Sequence, residues 1–122
     1  MSTISQNVLY VENPRRSADL YSKILGVAPV VGSENFIVLP LANGFTLGLW
    51  NKAMAQPAAT SGGGIEVMFI AANDEEVRTT YAKWSELGLP MAQEVTKMPF
   101  GLTFVATDPD GHRLRVCALT GV

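Results

Sequence analysis

QNVLYVENPRRSADLYSKILG, residues 6–26, is the stretch on which the fold turns. Its first seven residues are apolar-rich and β-branched and stop at Asn13-Pro14, which reads as a strand running into a turn. Asn13 suits a helix N-cap, and Pro14 suits the first helical position, where a missing N–H costs nothing. Ala18, Leu20, Tyr21, Ile24 and Leu25 recur at helical spacing and predict one buried face, and Gly26 predicts a left-handed stop. Short strands are expected next, at about 28–32, at 35–40 (NFIVLP) and at 45–50 (FTLGLW), the last two joined by a hairpin turn at Ala42-Asn43-Gly44.

The same order then returns. GIEVMFIA (64–71) reads as a strand and Asn73 as a cap. Val77, Tyr81, Trp84 and Leu87 predict a helical face that Gly88 ends, with Trp84 in the core. MAQEVT (91–96), LTFVAT (102–107) and RLRVCA (113–118) read as strands, with a tight turn at Asp108-Pro109-Asp110-Gly111. Asn13 precedes Tyr21 by the same interval as Asn73 precedes Tyr81, and Ile24-Leu25-Gly26 is echoed by Glu86-Leu87-Gly88. A repeat of strand, helix and three strands is the organising signal. The fold class is therefore α+β: two β-α-β-β-β repeats forming a curved mixed sheet around a cleft. Repeat one is expected at about 4–52, a Pro/Ala/Ser/Gly-rich linker at about 53–63 and repeat two at about 64–119, within one domain over 1–122. Each helix would cover one face of its sheet, and the uncovered faces would enclose a small-molecule pocket.

Composition narrows the functions. The 122 residues are 48% hydrophobic and 16% charged, with a formal charge of -2, which fits a globular protein and offers no basic stripe for nucleic acid. No apolar run approaches the roughly 20 residues of a membrane span. The start, MSTISQNVLYVENP, lacks the features of a signal peptide, and Cys117 is the sole cysteine, so an internal disulfide is excluded and a cytoplasmic location is expected. Asp74-Glu75-Glu76 reads as a favourable first helical turn, Arg15 and Arg16 as solvated, and Gly62-Gly63-Gly64 as too far from a helix start to cradle phosphate.

LYVENPRRSADLYSKILG (9–26) and FVATDPDGHRLRV (104–116) resemble the vicinal oxygen chelate superfamily, which includes glyoxalase I, extradiol dioxygenases and the fosfomycin- and bleomycin-resistance proteins. The likeness spans nearly the whole chain. GLW followed by Asn51, PFGLTF (99–104) and DPDGHRLRVC (108–117) resemble, within that group, the phenazine antibiotic resistance proteins that bind griseoluteate-type drugs. Pairing of units across a homodimer is implied.

Metal-using members of the superfamily hold their ion with His or Glu on the first and fourth strands of each unit. The resemblance puts Gln6, Gly48, Glu66 and Arg115 at those positions. Only Glu66 is a usual ligand; glycine offers no side chain and arginine a fixed positive charge, so no metal and no cofactor are expected. Glu66 alternates with Met68 and Ile70 and would point inward, where an unpaired carboxylate is costly; an ion pair with Arg115 is expected in place of the metal. His112, beside the turn, is expected to be a solvated surface residue, and Cys117, on the face of Arg115, a small apolar wall residue.

Alternation places Thr46, Gly48 and Trp50 on one face of their strand, with Gly48 leaving space and Trp50 supplying a flat wall for a planar aromatic ligand. Phe100, in a Pro-Phe-Gly loop, would close over the ligand, with Met98, Phe36 and Met68 as further wall residues. The expected function is metal-independent binding of a planar aromatic metabolite or antibiotic, conferring resistance by sequestration. The alternatives are a divalent-metal lyase, isomerase or dioxygenase of the same fold, and a metal-free enzyme with Glu66 as general base.

Overall fold

The computed structural model describes residues 5–60 and 65–120. The chain divides into two compact units, residues 1–61 and 62–122. In the first, β1 (Gln6–Val11) leads into α1 (Pro14–Leu25), then β2 (Val30–Ser33), β3 (Phe36–Pro40) and β4 (Thr46–Asn51). In the second, β5 (Glu66–Ile70) leads into α2 (Asp74–Glu86), then β6 (Met91–Met98), β7 (Gly101–Thr107) and β8 (Arg113–Leu119). The sheet orders are β1-β4-β3-β2 and β5-β8-β7-β6, so both units have one topology. The first strand of each lies parallel to the fourth, and the other pairs are antiparallel. The fold is α+β, built from two repeats, as the sequence predicts.

Local chemistry explains the helix boundaries. The Asn13 side chain accepts from the Arg16 N–H at 3.1 Å, with Pro14 opening the helix. Gly26 closes it at φ 68°, its N–H donating to the Ser22 carbonyl. In α2 the Asn73 side chain accepts from the Glu76 N–H at 2.9 Å, and the Glu76 carboxylate accepts from the Ala72 N–H at 2.7 Å. These bonds satisfy donors that a helix start leaves without partners.

Each helix covers one sheet face. Leu9, Val11, Ile37, Leu39, Leu47 and Leu49 are buried on the α1 side, together with Ala18 and Tyr21 of the helix. On the α2 side Trp84 meets Phe69 and Phe104 edge-on, with centroids 5.3 and 5.5 Å apart, and Tyr81 meets Phe104 at 5.2 Å. Trp84 is a core residue, and such edge-to-face pairs add specificity to the area they bury.

Three local expectations change, and the turn expected at Ala42–Gly44 is present. Leu87 is exposed, because the helix ends at Glu86 and Leu87 is its C-cap. The second strand starts at Val30 instead of 28, after Pro29, and all four of its residues are exposed. Ala42–Gly44 reverses the chain between β3 and β4 as a short 3-10 turn, with Asn43 at φ 61° and Gly44 at φ 77°. His112 is buried, because the Asp108 carboxylate gathers the N–H groups of Asp110 and His112, both at 2.9 Å, and folds the turn over. Residues 61–64, which include all three of Gly62-Gly63-Gly64 at the end of the expected linker, lie outside the described residues. Among the described residues no helix is long and apolar enough to cross a membrane.

Candidate functional site

Strand register settles which side chains share a face. In the first unit Gln6, Val8 and Tyr10 of β1 stand beside Thr46, Gly48 and Trp50 of β4, which stand beside Pro40, Val38 and Phe36 of β3. This is the face away from the buried residues of α1's side. It carries a three-ring cluster: Trp50 lies 6.1 Å from Tyr10 at a 53° tilt, and 6.2 Å from Phe36 at 90°. Trp50 and Phe36 are half-buried and Tyr10 is exposed, so the rings stay accessible on a sheet surface.

Gly48 does not leave the open space expected of it. A methyl group at its Cα would stand 3.0 Å from Cζ of Phe36 and 3.4 Å from Cδ of Gln6. The Phe36 ring has moved into the room that the missing side chain provides.

In the second unit Glu66 and Arg115 form the expected ion pair. Arg115 Nε donates to both Glu66 carboxylate oxygens, at 3.0 and 3.2 Å. Nη1 donates to Gln93 Oε1 and to Thr103 Oγ1, each at 3.2 Å. Thr103 is fully buried and its hydroxyl donates to the Val116 carbonyl at 2.7 Å, which turns its lone pairs toward the guanidinium. The guanidinium carbon lies 5.5 Å from the centre of the Phe100 ring, within cation–π range. Met68 stands beside Arg115 in the register and is exposed; Met98 is half-buried and accepts a weak contact from Gln93 Nε2 at 3.8 Å. Cys117 shares this face but is fully buried, so it packs and presents no sulfur to solvent.

The predicted residues thus fall into two groups: Trp50, Gly48 and Phe36 on the first unit's sheet, and Glu66, Arg115, Phe100, Met68 and Met98 on the second's. The sequence model of the Glyoxalase/Bleomycin resistance protein/Dioxygenase superfamily matches residues 3–116. The chain belongs to that superfamily. It is 29% identical over 122 residues to the phenazine antibiotic resistance protein EhpR of Enterobacter agglomerans, covering 96% of this chain and 94% of the relative. A protein of Agrobacterium tumefaciens with a solution NMR structure is 46% identical, with a TM-score of 0.91 over 99% of this chain and 100% of the other. A glyoxalase-related enzyme of Fulvimarina pelagi is 22% identical, with a TM-score of 0.84 over 97% and 88% of the two chains, a likeness of fold.

The superfamily's metal positions test poorly in this chain. In the first unit the Gln6 amide nitrogen donates to Thr46 Oγ1 at 2.8 Å, and Gly48 lies under the Phe36 ring. In the second, the Glu66 carboxylate is engaged by the Arg115 guanidinium at 3.0 Å. Among the described residues no three His, Cys, Asp or Glu side chains come together as a ligand group. The donors at these positions do not fit a divalent cation.

The sequence reading passed over Tyr10, Gln93 and Thr103. For Tyr10 the signal was available: it alternates with Gln6 and Val8 on the strand that carries the first superfamily position. Thr103 was within reach too, since β7 pairs with β8 in unbroken register and Thr103 alternates with Val105, the partner of Arg115, but Gln93 gives no such signal. The β6–β7 register shifts between Met91 and Gln93 and again between Gln93 and Thr96, so alternation does not carry through.

Proposed function

We propose that this protein binds a small planar aromatic molecule without a metal, and acts by sequestering it. The observation that carries this reading is the accessible cluster of Tyr10, Trp50 and Phe36 on the sheet face that α1 does not cover. A soluble protein has little reason to leave three contiguous rings there unless something flat covers them. Phe100 beside Arg115 offers a second aromatic surface. In this reading Gly48 serves the first unit's surface by admitting the Phe36 ring that supports Trp50, and Met68 and Met98 belong with Phe100 on the second unit's surface. The relative named for phenazine antibiotic resistance suggests a phenazine-type tricycle, and the donor chemistry at the superfamily's metal positions favours binding over metal-dependent turnover. A cytoplasmic location and a homodimeric state belong to the same reading.

Tryptophan fluorescence tests it. Trp84 is buried in the second unit's core, so quenching by an added ligand should report Trp50. Phenazine should quench wild-type emission saturably, and Trp50→Ala should weaken binding roughly tenfold and abolish the quenching. Saturable binding that is untouched in Trp50→Ala rejects the stacking role. No binding by any planar tricycle rejects the function.

A further inference from the structure

The guanidinium of Arg115 is only partly used. Its Nε hydrogen is shared by the two Glu66 oxygens, and the Nη1 hydrogens go to Gln93 and Thr103. Nη2 makes no hydrogen bond among the described residues. Among the described residues no buried side-chain nitrogen or oxygen lacks a partner, so Nη2 reaches solvent although the side chain as a whole is only 14% exposed. Acceptors on its other two nitrogens hold the guanidinium in one pose with one edge presented, next to Phe100 and Met68. A guanidinium whose only task was to neutralise Glu66 would not need to be fixed by Gln93 and a buried threonine as well.

We propose that the Nη2 edge of Arg115 is the polar anchor for an aromatic ligand lying on the neighbouring Phe100 ring of the same unit, taking an uncharged carbonyl-type oxygen on the ring system, and that Glu66 sets this charge preference. The inference rests on the aromatic-binding reading and goes beyond it by naming the ligand's functional group. A free arginine recognises a carboxylate through a fork of paired donors. Here Nε and Nη1 are occupied, so no fork is open and a single nitrogen remains. Glu66 already balances the charge. A carboxylate arriving at Nη2 would gain attraction from Arg115 and meet repulsion from Glu66, while giving up its hydration. A ketone or quinone oxygen gains the hydrogen bond and gives up far less hydration. The pair acts on the ligand as an oriented donor more than as a charge.

Calorimetry with three probes of one shape tests this: fluorene, which has no acceptor, 9-fluorenone, which adds one ring carbonyl, and fluorene-1-carboxylate. Fluorene binding reports aromatic stacking alone. Wild type should bind fluorenone about tenfold more tightly than fluorene, and the carboxylate no better than fluorene. Arg115→Lys, which keeps the charge and removes Nη2, should bring fluorenone down to fluorene. Glu66→Gln should raise carboxylate binding roughly tenfold relative to fluorenone binding. Should Arg115→Lys fold poorly, the paired change Glu66→Met with Arg115→Met removes both charges together, a replacement that buried pairs often tolerate. It should keep fluorene binding and lose the ketone preference. Equal wild-type affinity for fluorenone and fluorene overturns the anchor and leaves stacking intact. A wild-type preference for the carboxylate, or no gain for it in Glu66→Gln, overturns the role of Glu66. Failure of all three probes to bind wild type overturns the anchor together with the aromatic reading.

Discussion

Two glycines show how much a single missing side chain can mean. Gly101 opens β7 at φ 138°, a conformation that side-chain-bearing residues rarely adopt, and an added Cβ would stand 2.0 Å from the Ala118 carbonyl oxygen. That obstacle is backbone held in the β7–β8 ladder, where Gly101 pairs with Leu119 and Leu102 with Ala118. Gly101→Ala should therefore destabilise by about 3 kcal/mol or more. At Gly48 the obstacle is the ring of Phe36, at 3.0 Å, and a side chain can turn away. Gly48→Ala should cost about 1 kcal/mol. Its larger effect should be on the ring cluster, because Phe36 packs edge-on against Trp50. Denaturant melts of the two variants check the order, and a change in Trp50 emission in Gly48→Ala checks the displacement. Equal melting of the two variants would show that Phe36 is held as firmly as backbone. Gly48 also marks a limit of reading sequence alone: a glycine announces room, but what fills that room is decided by a residue on the neighbouring strand.

At the scale of elements, the two helices start by the same device with different reinforcement. Asn13 and Asn73 both cap, but α2 adds Glu76, which reaches back to the Ala72 N–H, and an acidic first turn of Asp74, Glu75 and Glu76. Each cap is worth about 1 kcal/mol, so Asn13→Ala and Asn73→Ala should each lower stability by roughly that amount. Glu76→Ala should add a further loss in α2 that has no counterpart in α1, because no acidic residue stands in the first turn of α1. Thermal melts of the three variants check this, and no loss in Glu76→Ala would remove the reciprocal bond from the account. These elements were legible in advance because their signals are local: an asparagine, the following proline or acidic run, a helical stripe and a terminal glycine. The failures occurred where burial depends on the geometry of a turn or a helix end and not on the residue pattern. The burial of His112 depends on how Asp108 folds the turn. The exposure of Leu87 depends on the helix ending one residue earlier than its apolar spacing suggests.

At the scale of the molecule the repeat was legible because it needs only the order of local signals, and the identical sheet orders of the two units follow from it. The ion pair between Glu66 and Arg115 was legible for another reason: alternation put both on one face, and a carboxylate there needs a partner. The bond of Arg115 to Gln93 was not, since irregular pairing between β6 and β7 breaks the two-residue rhythm. The repeat also leaves matching surfaces. Val8 and Tyr10 on β1, and Met68 and Ile70 on β5, are exposed apolar side chains; each strand edges its sheet, and all four point away from the helix-covered face. Exposed apolar rows on edge strands invite association, and a second copy of the chain supplies matching rows. The proposed homodimer should then appear in light scattering at twice the monomer mass. Val8→Glu with Ile70→Glu should shift it toward monomer at micromolar protein with little change in circular dichroism, because both side chains are already in water in the single chain. A wild-type monomer at high concentration would remove the dimer and leave those side chains to the ligand. A dimer that survives both charges would place the interface on other residues.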